Sequence, residues 1–69
     1  MTILHHKFIE SSVLASCSYD TETKDLTITF LNGRTYTYVD VPQNIYSELA
    51  DSKSAGKYFS FIKPGLKLK

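Results

Sequence analysis

Hydrophobic and polar positions alternate over residues 13–20, "VLASCSYD", with Val13, Ala15, Cys17 and Tyr19 on one parity and serines on the other. A period of two marks a strand with one buried face. The polar stretch "TETKD" (21–25) reads as a turn. "LTITFL" (26–31) then puts Leu26, Ile28 and Phe30 on one face and Thr27 and Thr29 on the other. Asn32-Gly33 signals a hairpin, and "RTYTYV" (34–39) follows as a strand of aromatic and β-branched residues.

The length of the hairpin loop decides which way Tyr36 and Tyr38 face, because register assigns every side chain to a face. A two-residue type I′ turn would set Phe30 opposite Thr35 and Ile28 opposite Thr37, mixing threonine with apolar groups on both faces. A three-residue loop, Leu31-Asn32-Gly33 with Gly33 left-handed, pairs Phe30 with Arg34, Ile28 with Tyr36 and Leu26 with Tyr38. This register alone segregates the faces: Leu26, Ile28, Phe30, Tyr36 and Tyr38 on one, Thr27, Thr29, Thr35 and Thr37 on the other. It predicts that the two tyrosines belong to the core.

The pattern then changes to a helical period. Pro42 carries a preset φ suited to a first helical turn, and Val41, Ile45 and Leu49 recur at i, i+4 and i+8, predicting a short helix over 42–50. Ser52 or Ser54 is placed to cap a second helix, whose stripe is Ala55, Tyr58, Phe59 and Ile62, ended by Pro64-Gly65. The expected fold class is α+β: a three-stranded antiparallel β-meander followed by two short helices packed on one face. "ILHHKFI" near the N-terminus is an optional extra edge strand. The chain reads as a single domain, 1–69, with its core at about 9–63 and a basic tail at 64–69.

Size changes the picture. A chain of 69 residues buries only roughly 60% of its unfolded surface, so the core is thin. Small domains compensate with disulfides, metals or oligomerisation. Cys17 is the sole cysteine, which excludes an internal disulfide and leaves self-association open. No apolar run nears the ~20 residues of a membrane span, and no signal-peptide pattern opens the chain. A small cytoplasmic protein is expected, in a host cytoplasm if it is phage-encoded.

Charge is unevenly spread. Residues 1–51 hold Lys7, Lys24 and Arg34 against Glu10, Asp20, Glu22, Asp25, Asp40, Glu48 and Asp51; residues 52–69 hold Lys53, Lys57, Lys63, Lys67 and Lys69 with no acid. The basic end hints at an anionic partner. The plainer account is a solvated helix face with a frayed tail.

Several segments together resemble the KTSC domain, a module found as a stand-alone bacterial or phage protein and at the C-terminus of some lysyl-tRNA synthetases. The resemblance spans about residues 9–62. It is carried by Ser11 and Ser12, by Tyr19 and Asp20 with Leu14 and Cys17 before them, and by Phe30 and Gly33. Tyr36, Tyr38, Val41 and Pro42 continue it, and Ser54, Gly56, Tyr58 and Phe59 end it. The chain departs from the family's usual lysine at position 55, here Ala55, and asparagine at position 60, here Ser60. The resemblance implies no established activity; RNA binding is suggested by the link to a tRNA synthetase.

Residue chemistry narrows the choice further. His5 and His6 point to opposite faces of a strand and have no further ligands at metal-site spacing, so no metal is expected. Cys17 falls on the apolar parity, as a small hydrophobe. No nucleotide-binding or hydrolase motif occurs. The expectation is a non-catalytic module without a cofactor or small-molecule substrate. Its leading reading is protein recognition through Thr27, Thr29, Leu31, Thr35, Thr37 and Val39, a β-prone uncharged face serving a homo-oligomer, an adaptor or a phage-type inhibitor of a host protein. The alternative is RNA or other anion binding by Lys53, Lys57, Lys63, Lys67, Lys69 and Arg34.

Overall fold

The structure is a computed structural model that describes residues 2–9 and 11–69. Five strands form one antiparallel sheet in sequential order: β1 (Ile3–Lys7), β2 (Leu14–Asp20), β3 (Leu26–Phe30), β4 (Thr35–Val39) and β5 (Lys67–Leu68). Two helices, α1 (Gln43–Asp51) and α2 (Ala55–Ile62), follow β4, and a 3-10 turn at Lys63–Gly65 leads into β5. The α+β class and the meander-then-helices order are as expected. The optional N-terminal edge strand is present as β1, and β5 adds a further strand at the other edge that the meander did not include.

The hairpin adopts the three-residue loop. Leu26 pairs with Tyr38 and Ile28 with Tyr36; Phe30 N–H donates to Arg34 C=O at 2.8 Å, and Gly33 N–H donates to Phe30 C=O at 3.0 Å. Gly33 has φ +90°, a left-handed conformation open to glycine. Tyr38 is consequently buried, 5% exposed, and Tyr36 half-buried.

Strand β2 corrects the simple alternation. Its register against β3 shifts between Leu14 and Ser16, so Ala15 is an extra residue that moves Leu14 onto the parity of Cys17 and Tyr19. Leu14 is fully buried, whereas Val13 is 49% exposed and Ala15 only half-buried.

The core lies between the sheet and the helices. Leu14, Cys17, Tyr19, Leu26, Ile28 and Tyr38 from the sheet meet Val41, Tyr46, Leu49, Ala55 and Phe59. The rings of Tyr19 and Tyr46 stack at 5.5 Å. Phe59 packs edge-on against Phe30 at 5.8 Å and Tyr38 at 5.7 Å. Burying a tyrosine hydroxyl demands a partner; that of Tyr19 donates to the carbonyl of Val41. Tyr46, rather than Ile45, is the residue α1 buries with Leu49, because the helix starts at Gln43 with Pro42 as its extended N-cap. Ser54 occupies the N-cap of α2 but makes no side-chain capping bond.

The segment expected as a free basic tail, 64–69, is instead structured. Tyr38 pairs with Leu68 and Val39 with Lys67, and Lys69 N–H donates to Thr37 C=O at 2.8 Å. The Pro64-Gly65 turn reverses the chain after α2 and returns it to the edge of β4.

Candidate functional site

The helices cover one sheet face and leave the other bare. Ser16, Ser18, Thr27, Thr29, Thr35 and Thr37 line the bare face, with the hydroxyls of Thr27 and Thr37 3.1 Å apart. Leu31 is exposed in the hairpin turn and Val39 is half-buried. The expectation of an uncharged face needs correction. Lys7 pairs with Ser16, Ile3 with Asp20, and Lys67 with Val39, so three charged residues share its parity. Two of them arrive on β1 and β5, the strands that extend the meander.

The predicted cations do not form one patch. Lys53 and Lys57 lie at the start of α2 and Lys63 just beyond its end. Lys63 borders an apolar hollow of about 360 Å³ with Phe30, Tyr36, Tyr38, Leu66 and Leu68. Lys67 sits on β5, and Lys69 Nζ pairs with the Asp25 carboxylate at 3.1 Å. Arg34 is exposed at the hairpin turn.

Lys53 and Lys57 line a groove that is also bordered by Lys7, a cation of the acidic front. The chain leaves β1 with Phe8 N–H still bonded to Ala15 C=O at 2.9 Å. It turns into β2 where Ser11 Oγ accepts the N–H groups of Val13 at 3.1 Å and Leu14 at 2.8 Å. The α1–α2 link abuts this turn. Ser54 N–H donates to Ser52 Oγ at 3.1 Å, and a Cβ added at Gly56 would lie 3.6 Å from Val13 and 4.0 Å from Ser11 Oγ. Between the two segments opens a groove of about 770 Å³. Its lining includes Lys7, Lys53 and Lys57, the serines Ser11, Ser12, Ser52, Ser54 and Ser60, and the apolar Phe8, Ile9 and Val13. Among the described lining residues there is no carboxylate.

Most residues that carried the family resemblance are explained by folding. Tyr19, Tyr38, Val41 and Phe59 are core residues, and Phe30 and Tyr36 pack against the core. Asp20 accepts N–H bonds from Glu22 at 2.9 Å and Thr23 at 3.3 Å, which holds its carboxyl below the usual range and closes the β2–β3 turn. Tyr58 donates to Glu48 and ties α2 to α1; that bond pushes its hydroxyl up to about 12. Ser11, Ser12, Ser54 and Gly56, by contrast, all line the groove.

Candidate chemistry elsewhere is muted. Desolvation pushes the Cys17 thiol up to about 12, so it stays protonated and poorly nucleophilic at neutral pH. The His5 ring lies 3.0 Å from Ser18 Oγ on the bare face, and His6 packs edge-on against Phe8 at 4.9 Å on the helix side. Among the described residues no three metal-ligating side chains converge. Among the described residues no helix is long and apolar enough to cross a membrane. Sequence reasoning passed over Phe61 and Ile9, 82% and 90% exposed; the signal for Phe61 was its place off the stripe of Ala55, Tyr58, Phe59 and Ile62.

The comparisons define first a small α+β module. The crystal structure of a KTSC domain protein from Yersinia pestis superposes with a TM-score of 0.86 at 26% identity, covering 99% of this chain and 96% of that one. A protein of Tsukamurella paurometabola is 32% identical over 57 residues, covering 81% of this chain and 85% of its own length. One from Stutzerimonas stutzeri is 35% identical over 54 residues, covering 78% and 76%. A family model for the KTSC domain matches residues 10–64. The chain belongs to the KTSC domain family.

Proposed function

We propose that this KTSC domain is a non-catalytic binding module that recognises another protein by accepting an extended segment on the free edge of β1. The observation that carries this reading is the asymmetry of the sheet edges. Among the described residues β1 and β5 are the two edge strands, but β5 offers two residues and β1 five. Thr2 C=O and Phe8 N–H both bond toward β2. In an antiparallel ladder the direction alternates residue by residue, so Ile3, His5 and Lys7 turn their N–H and C=O groups outward. Such a row of open donors and acceptors is a template for strand addition.

The adjoining hydroxyl face and the exposed Ile3 extend the contact area. A second copy, an adaptor partner or a host protein inhibited by a phage product would all meet the same edge, in the cytoplasm. RNA binding is the second reading, favoured by the exposed ring of Phe61 on the helix that carries Lys57. It is the weaker one, because Tyr36 and Tyr38 pack inward and the lysines are dispersed, whereas single-strand binding needs a stacking platform along a basic track.

The test is selection of short randomised peptides on the whole chain, followed by amide exchange. Bound peptides are expected to protect the amides of Ile3, His5 and Lys7, and N-methylation at alternate peptide positions to abolish binding. Failure to enrich any peptide, or protection confined to other strands, would sink the reading. Titration with labelled tRNA and single-stranded RNA at low and moderate salt runs alongside.

A further inference from the structure

The free edge of β1 does not end in open solvent. His6, Lys7, Phe8 and Ile9 carry it directly into the groove that Lys53 and Lys57 close from the other side. Residues 7 and 53 are far apart in sequence, and only the docking of the α1–α2 link against the turn before β2 brings them to one groove. Among the described residues no ion pair engages Lys7, Lys53 or Lys57, whereas Lys69 is held by Asp25.

From this geometry we infer that the groove selects an acidic extended segment, with aspartate or glutamate at alternate positions. The inference rests on the strand-addition reading of β1. Side chains of an added strand project to opposite faces with a period of two. Those on the helix side lie beside His6 and Phe8 and face the groove; those on the other side lie along the hydroxyl face. Carboxylates two residues apart therefore meet Lys53 and Lys57 together, while the intervening residues lie beside Lys7 on the hydroxyl face. Ile9 and Val13, both exposed, supply apolar contact at the mouth.

Complementary charge of this kind sets specificity and encounter rate more than raw affinity. Nucleic acid would satisfy the charge but not the open ladder of β1. The continuity of edge and groove favours a protein segment.

The experiment compares peptides selected by the whole chain with those selected by the variant Lys7→Gln/Lys53→Gln/Lys57→Gln. All three lysines are surface residues, and circular dichroism verifies that the variant folds. The wild-type chain is expected to enrich peptides with acidic residues at alternating positions, bound more weakly as salt rises. The variant is expected to lose affinity for them by about tenfold and to show no acidic preference. Enrichment of neutral peptides, bound equally by both proteins, would overturn the groove inference and leave strand addition standing. No enrichment by either protein would overturn both. A single-stranded RNA oligomer that displaces the acidic peptides and loses affinity in the same variant would also overturn it, assigning the groove to nucleic acid.

Discussion

Gly33 has φ +90° and nothing within 4 Å of where a Cβ would stand. Its cost of replacement is therefore conformational rather than steric. Gly33→Ala is expected to destabilise the fold by about 1 kcal/mol, read as a lower urea midpoint at unchanged slope. A drop of less than a third of that would mean the loop can change type. The consequence reaches beyond the turn, because the glycine bulge sets the register that buries Tyr38. Lys24 and Asp40 are also left-handed, with φ of 63° and 54°. Lys24 C=O accepts Val41 N–H at 2.9 Å, fastening the β2–β3 turn to the chain entering α1.

Among the elements, β5 is the smallest and the one furthest from expectation. Two residues have little strand propensity of their own; pairing with β4 and the packing of Leu66 against the core hold them. The Lys69–Asp25 pair adds little, since its lysine side chain is 64% exposed and exposed pairs contribute about 0–1 kcal/mol. Removal of residues 66–69 is expected to destabilise the domain by about 1–3 kcal/mol through lost apolar burial beside Phe30, Tyr36 and Tyr38. It also makes the five-residue β4 the sheet edge in place of the two-residue β5, so light scattering is expected to show association that grows with concentration. A truncated chain that melts and scatters like the full one would show that β5 contributes neither stability nor protection.

For the whole molecule, a small core rich in hydroxyls makes stability sensitive to alkali. Burial raises Cys17 from 9.0 to about 12, and the bond to Glu48 raises Tyr58 from 10.0 to about 12. Desolvation also raises Tyr19, Tyr38 and Tyr46. Each group holds its proton more tightly folded than unfolded. Their contribution is complete below the unfolded values of 9.0 and 10.0 and is lost as pH rises toward about 12. Urea midpoints are expected to fall steadily above pH 9.0. Tyr58→Phe is expected to reduce the steepness of that fall; an unchanged slope would assign the loss to the other groups. Asp20 acts oppositely: its lowered carboxyl contributes above its ordinary 3.8 and loses the contribution as acid protonates it.

Periodicity along the chain was enough to assign faces wherever a residue's environment follows from its neighbours. The glycine loop, the inward tyrosines and the stripe of α2 are all of this kind, because pleat and helical pitch act over a few residues. The extra residue Ala15 broke the period within β2 and hid the parity of Leu14 from that reasoning. Tertiary packing decided the rest. The pairing of β5 with β4, the open edge of β1 and the groove that Lys7, Lys53 and Lys57 border depend on contacts between segments distant in sequence. Loop closure and long-range burial select such contacts, and no local pattern records them.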